Sequence, residues 1–180
     1  MRIAERSFGL PRNDPISRIL SIFNKPKLRF KPFLDGLNNF EISYPEGWKY
    51  DKDIAVVDGK YTISFRSGDG QKSFTIAVDA KLPMKFNFAE YVRSESGPSS
   101  GICADMKKTS FHGMPAFKRE YMLMSGGSKH FGGCLMFHTL EKVFSLSWSA
   151  PEKDREGMEK IFDRMRSSFS PKRGFMMREG

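Results

Sequence analysis

Three side chains with ligand chemistry recur at four-residue intervals: His130, Cys134 and His138. On an extended strand, residues four apart point to the same face, so these would line up as a metal constellation or a Cys/His nucleophile pair. Distance works against the metal. Four strand residues span about 13 Å, whereas ligands of one zinc ion sit about 2.0–2.3 Å from it. No two of the three share an ion on a straight strand. The thiol has no evident activation either: Cys134 follows Gly132-Gly133 in a strand pattern, away from any helix N-terminus that would lower its pKa. Ser67-Gly68-Asp69-Gly70 is glycine-rich but lies between two strand patterns, which makes it a hairpin loop rather than a phosphate cradle. Glu46, Asp51 and Asp53 gather near Trp48 as surface acids after a strand commonly do. There is no nucleophile elbow, Walker loop or dinucleotide fingerprint. These residues predict a protein without catalytic residues, metal or cofactor.

The elements that carry them read as strands and helices in alternation. Phe40, Ile42 and Tyr44 alternate with Glu41 and Ser43 up to Pro45, and Pro45-Glu46-Gly47 is turn chemistry before Trp48. Ile54–Val57 and Tyr61–Arg66 flank Asp58-Gly59, a hairpin signal, and Phe74–Val78 continues the sheet. Asn87 with Glu90 three residues later opens a helix carrying Phe88, Tyr91 and Val92. Four strands are then expected over about 102–111, 114–124, 129–139 and 142–149, with turns at His112-Gly113, Ser125–Ser128 and Leu140-Glu141. Phe117, Tyr121 and Leu123 share a face, as do Phe131, Leu135 and Phe137, and Phe144, Leu146 and Trp148: each set predicts one buried face. Pro151 opens a closing helix with the stripe Met158, Ile161, Phe162, Met165 and Phe169. Together they predict an α+β fold, an antiparallel β-sheet covered by helices.

The chain has 180 residues, enough for one domain with a sizeable core, and its 17 Phe predict aromatic-rich packing. No apolar run is long enough to cross a bilayer, and no apolar stretch follows Arg2 and Arg6 as a secretory signal would require. A cytoplasmic location is therefore expected, with Cys103 and Cys134 reduced. The net charge of +9 sits in the tails: residues 1–35 hold eight Lys/Arg against three acids, and 171–180 hold three against one. The chain thus divides into a basic N-terminal arm (1–35), a domain (36–170) and a basic C-terminal tail (171–180). In the arm, Asp14-Pro15 caps a short helix over 15–24 with Ile16, Ile19, Leu20 and Phe23 on one stripe. That helix is expected to dock on its own domain, a partner or a membrane surface, since alone it is too short to persist.

Phe40-Glu41-Ile42-Ser43-Tyr44-Pro45-Glu46-Gly47-Trp48, then Gly113-Met114-Pro115-Ala116 leading into Tyr121, and finally Met165-Arg166-Ser167-Ser168-Phe169 occur in order over about 37–170. In these motifs the chain resembles the PsbP/Mog1-like superfamily. The resemblance implies an antiparallel sheet sandwiched by helices. It also implies a role in protein binding, since members include a photosystem II subunit, a partner of the GTPase Ran, bacterial lipoproteins and secretion chaperones. The leading expectation is a non-enzymatic protein-binding or adaptor module. Its candidate contacts are Trp48, otherwise a core anchor, and the arm residues Arg18, Lys25, Lys27, Arg29 and Lys31. The alternative is a peripheral protein laying its basic amphipathic arm on anionic lipid. Nucleic acid is a weaker expectation, because the body is nearly neutral and lacks a basic aromatic platform.

Overall fold

The computed structural model describes residues 28–55, 60–80, 82, 86–95, 102–103 and 105–172. Its strands are β1 (Phe30–Asp35), β2 (Phe40–Pro45), β3 (Lys49–Ala55), β4 (Lys60–Arg66), β5 (Ser73–Asp79), β6 (Ile102–Cys103), β7 (Lys107–Phe111), β8 (Met114–Ser125), β9 (Ser128–His138), β10 (Val143–Pro151) and β11 (Ser170–Pro171). The helices are α1 (Phe88–Glu95) and α2 (Arg155–Ser168), the latter entered through a 3₁₀ turn at Glu152–Asp154. A large sheet runs β3-β4-β5-β10-β9-β8-β6, with β7 also on β8, and a small one runs β1-β2-β11. All pairings are antiparallel. The expected α+β architecture is present.

Period-2 alternation produces the core. Ile63 and Phe65, Phe74 and Ile76, Leu146 and Trp148, and Phe131 and Leu135 point to one face of the large sheet and are buried there. Helix α2 and the small sheet cover that face. Met158, Phe162 and Met165 of α2, followed by Phe169, complete the core with Phe40, Ile42 and Trp48. Short connections follow turn chemistry: Gly126 and Gly127, with φ of +56° and +76°, form the two-residue turn between β8 and β9, a conformation that side chains with a Cβ adopt at a cost.

Some expectations change. Among the described residues the first strand, β1, spans Phe30–Asp35 and pairs with β2, so these residues join the small sheet although they precede Gly36. Pro32 lacks the N–H that a strand ladder uses. It sits on an edge strand, where its missing N–H costs no ladder bond, and Phe33 and Asp35, which follow it, are buried. The strand expected over 102–111 is two strands. Ile102 and Cys103 pair with Met122 and Tyr121, while Lys107 pairs with Lys118, so four steps on one side match three on the other, as in a bulge. The closing helix starts at Arg155, because Pro151 still pairs with His130 as the last residue of β10. The helix expected over 15–24 and the tail from 173 lie outside the described residues.

The Gly132-Gly133 pair has a packing role on both faces of β9. A Cβ on Gly132 would lie 2.6 Å from the Tyr121 ring, and one on Gly133 would lie 2.3 Å from the Trp148 indole. Each glycine lets an aromatic ring from a neighbouring strand lie across β9. Gly133→Ala is expected to cost about 1–3 kcal/mol in denaturant unfolding by overpacking. Gly157→Ala, where nothing lies within 4 Å of the added carbon on α2, should instead gain about 0.5–1 kcal/mol from helix propensity.

Candidate functional site

The sequence candidates separate in space. Trp48 is 9% exposed and meets Phe162 edge-on with ring centroids 6.4 Å apart. It packs as a core side chain, the alternative the sequence allowed: the turn after Pro45, closed by the Trp48 amide on the Pro45 carbonyl at 2.9 Å, turns the indole inward. Arg18, Lys25 and Lys27 lie outside the described residues. Arg29 and Lys31 remain, and they are exposed where the chain enters the fold.

That junction is a shallow depression of about 500 Å³ lined by Leu28, Arg29, Phe30, Lys31, Glu46 and Arg164. The Arg164 guanidinium lies 4.1 Å from the centre of the Phe30 ring, and the Lys31 ammonium 5.0 Å from that of Tyr44. Leu28 is 47% exposed beside them. Three cations on an aromatic and aliphatic base are thus gathered from β1, its approach and α2. Arg164 was not foreseen; on the helix it reads as one more solvent-facing charge, and only the packing of α2 against β2 brings it to the arm.

The residues with ligand chemistry lie on the opposite face of the large sheet. His130, Cys134 and His138 do share that face. His138 packs against Phe88 of α1 at 4.6 Å and its Nδ1 meets the Thr139 carbonyl, while the Cys134 thiol is buried and 3.1 Å from the Ser145 hydroxyl. Among the described residues no three His, Cys, Asp or Glu side chains stand close enough to hold a metal ion. His112 occupies a turn with φ of +49° beside Phe111. In the 67–70 hairpin loop the donors point at Asp69: the Ser67 hydroxyl first, then the Gln71 amide and Lys72, which hold its carboxyl down to about 2. A phosphate would meet an anion there.

This second face carries a row of small polar groups. Arg119, Cys134, Ser147, Thr75, Ser64 and Asp51 stand directly opposite one another across six strands. The next row is Phe117, Met136, Ser145, Ala77, Thr62 and Asp53. Helix α1, its N-terminus capped by Asn87 Oδ1 accepting from the Ala89 and Glu90 amides, covers one end, with Val92, Cys134 and Met136 forming a minor core. Short serines and threonines leave the rest of the floor low. A groove of about 460 Å³ results, between Tyr91 of α1, Thr62 and Ala77 on one side and Arg119, Tyr121 and Leu123 on the other. The Tyr121 hydroxyl donates to the Trp148 carbonyl at 3.1 Å and fixes that wall. Arg119 projects from β8 with its Nε buried and without a hydrogen-bond partner among the described residues. The sequence signal for this groove is the alternation Ser145, Ser147, Ser149 in β10: one face bulky and apolar, the other small and hydroxylated.

No protein-family model matches the sequence, and no curated protein matches it. Solved structures do. The cyanobacterial PsbP of Synechocystis superposes with a TM-score of 0.58 at 15% identity, covering 83% of this chain and 96% of that one. LpqN of Mycobacterium tuberculosis, described as involved in cell envelope biogenesis, gives 0.57 at 8% identity over 84% and 95%. A Pseudomonas aeruginosa protein described as of unknown function and a putative regulator gives 0.51 at 16% identity over 81% and 99%. The chain therefore has the PsbP/Mog1-like fold, as its motifs suggested. Identities this low carry the fold and not a ligand or partner.

Proposed function

We propose that this chain is a non-enzymatic module that binds a protein partner through the junction of its basic arm with the fold. The supporting observation is the convergence of Arg29, Lys31 and Arg164 on a base formed by exposed Leu28 and half-buried Phe30. Arginine backed by an aromatic ring and framed by apolar surface is the composition of protein interfaces. The positive charge selects a partner with an acidic patch, and the arm that continues from Leu28 extends the same charge. The edge strand β3 is a poor alternative for strand addition, because Lys49, Asp51, Lys52 and Asp53 are all exposed along it.

The test is capture from native lysate by the full-length chain against an R29E/K31E/R164E variant, with any partner then purified and its affinity measured. Charge reversal should weaken binding by at least about tenfold, and added salt should weaken the wild-type complex steeply. A partner retained equally by both chains would sink the reading.

A further inference from the structure

We infer that the junction receives an amphipathic α-helix of its partner, laid along the outer face of β1 with acidic residues over the cations and an apolar stripe over Leu28, Pro32 and Leu34. The inference rests on the reading of the junction as a protein-binding site and names the element that site takes.

The alternation that buries one side of β1 leaves the other side apolar as well. Phe33 and Asp35 are buried, with Ile42 and Phe40 of β2 opposite them. Phe30, Pro32 and Leu34 therefore share the outer face. Pro32 is exposed and Leu34 is 60% exposed, and Leu28 lies beside Phe30 at the head of the row, in the cationic depression. The steps from Leu28 to Leu34, at about 3.3 Å each, span about 20 Å, the length of about thirteen helical residues. The surface is thus positive at one end and apolar along its length.

Backbone geometry decides against an added strand. The Ser43 amide and carbonyl meet the Ser168 hydroxyl at 2.9 and 3.4 Å, on the side away from β1. The Pro32–Ser43 pair therefore exchanges no ladder bonds, and the Pro32 nitrogen faces the free edge. It has no proton to give an incoming strand in the middle of β1. A helix needs none, because it docks through rows of side chains. Charge decides against an anionic bilayer. Glu41, which Lys172 meets at 3.6 Å, stands opposite Leu34, and Glu46 lines the depression; both are exposed. A bilayer opposes every carboxylate with the same negative field, whereas a helix can set its acids against Arg29, Lys31 and Arg164 alone. The chain's own arm shares the positive sign of the junction, so it is not the complementary occupant.

The probe is a lactam-stapled helical peptide of about sixteen residues, with leucines at i, i+3, i+4 and i+7 and glutamates flanking one end of that stripe. It is titrated into the full chain while the backbone amides of Lys31, Leu34 and Glu41 are followed by NMR. Saturable shifts are expected at all three. A peptide of the same composition with the stripe scrambled should bind at least about tenfold more weakly, as should the stapled peptide to Leu34→Ser with an unchanged unfolding midpoint and to R29E/K31E/R164E. If Leu34→Ser does not fold, the comparison of the two peptides on the wild-type chain decides. The inference is overturned if the stapled peptide shifts none of these amides, if the scrambled peptide binds as tightly, or if folded Leu34→Ser or the charge-reversed chain binds undiminished. It is equally overturned if vesicles of phosphatidylcholine with about 30% phosphatidylserine hold the chain through Leu34 and the peptide does not. The junction reading fails on different evidence, a captured partner held equally by the charge-reversed chain, whatever Leu34 does.

Discussion

Phe162→Ala is expected to remove about 3–5 kcal/mol of stability, enough to leave a domain of this size largely unfolded at moderate temperature. Phe162 is fully buried, and its ring meets Trp48, Phe74, Phe131 and Trp148 at centroid distances of 6.1–6.5 Å. Those four rings come from the turn before β3 and from β5, β9 and β10. One side chain on α2 thus ties the helix to three strands of the large sheet, and its removal leaves a cavity that four rigid rings cannot collapse into. Denaturant titration followed by tryptophan fluorescence measures the loss directly. A loss below about 1 kcal/mol would mean that α2 is not docked on this core.

Asp35→Ala should cost about 2–4 kcal/mol, through stranded donors rather than a cavity. Asp35 is 1% exposed at the end of β1. Its carboxylate accepts the Tyr61 hydroxyl of β4 at 2.6 Å and the Asn38 amide at 2.7 Å, and lies 3.5 Å from the Lys52 ammonium of β3. The small sheet is thereby fastened to the large one by a charge at the interface. Burial alone would push the Asp35 carboxyl up; the Tyr61 hydroxyl, the Asn38 amide and Lys52 together outweigh it and hold the carboxyl below the usual aspartate value. Burial, and then the same bond to Asp35, drives the Tyr61 hydroxyl well above the ordinary tyrosine range.

A depressed carboxyl binds fewer protons in the folded than in the unfolded chain, so stability rises with pH through that window. Its contribution is intact above the unfolded value near 3.8 and is lost as pH falls through the lower folded value. Unfolding free energies measured from neutral pH down to about pH 2 should fall less steeply for Asp35→Asn than for the wild type over the acid limb. Parallel acid limbs would remove Asp35 from this role.

Local pattern determined much of this protein. Alternation over Phe74–Val78 and Phe144–Trp148 established the strands and their buried face, because a two-residue period admits one inward set. The stripe from Met158 to Met165 established α2 and its orientation, and the motifs at Phe40–Trp48 and Met165–Phe169 pointed to the right fold. Where sequence reading failed, a neighbour supplied by the fold had overruled a local rule. Pro32 is a breaker in isolation and harmless on an edge strand. Asp35 looked like one more charge of the arm, yet it is buried because Tyr61 and Lys52, 26 and 17 residues on, arrive to meet it.

The candidate sites lay further beyond pattern. Sequence established that the chain is basic at its ends and that Arg29 and Lys31 precede the first motif; the addition of Arg164 required α2 to fold back across β2. Arg119, Cys134 and Ser147 come from three different strands, and only strand register puts them in one row. Register is a long-range pairing that no short window of residues encodes. Periodicity assigns each residue to a face, but which residues become neighbours on that face, and whether a helix covers them or leaves a groove, was decided by the tertiary structure alone.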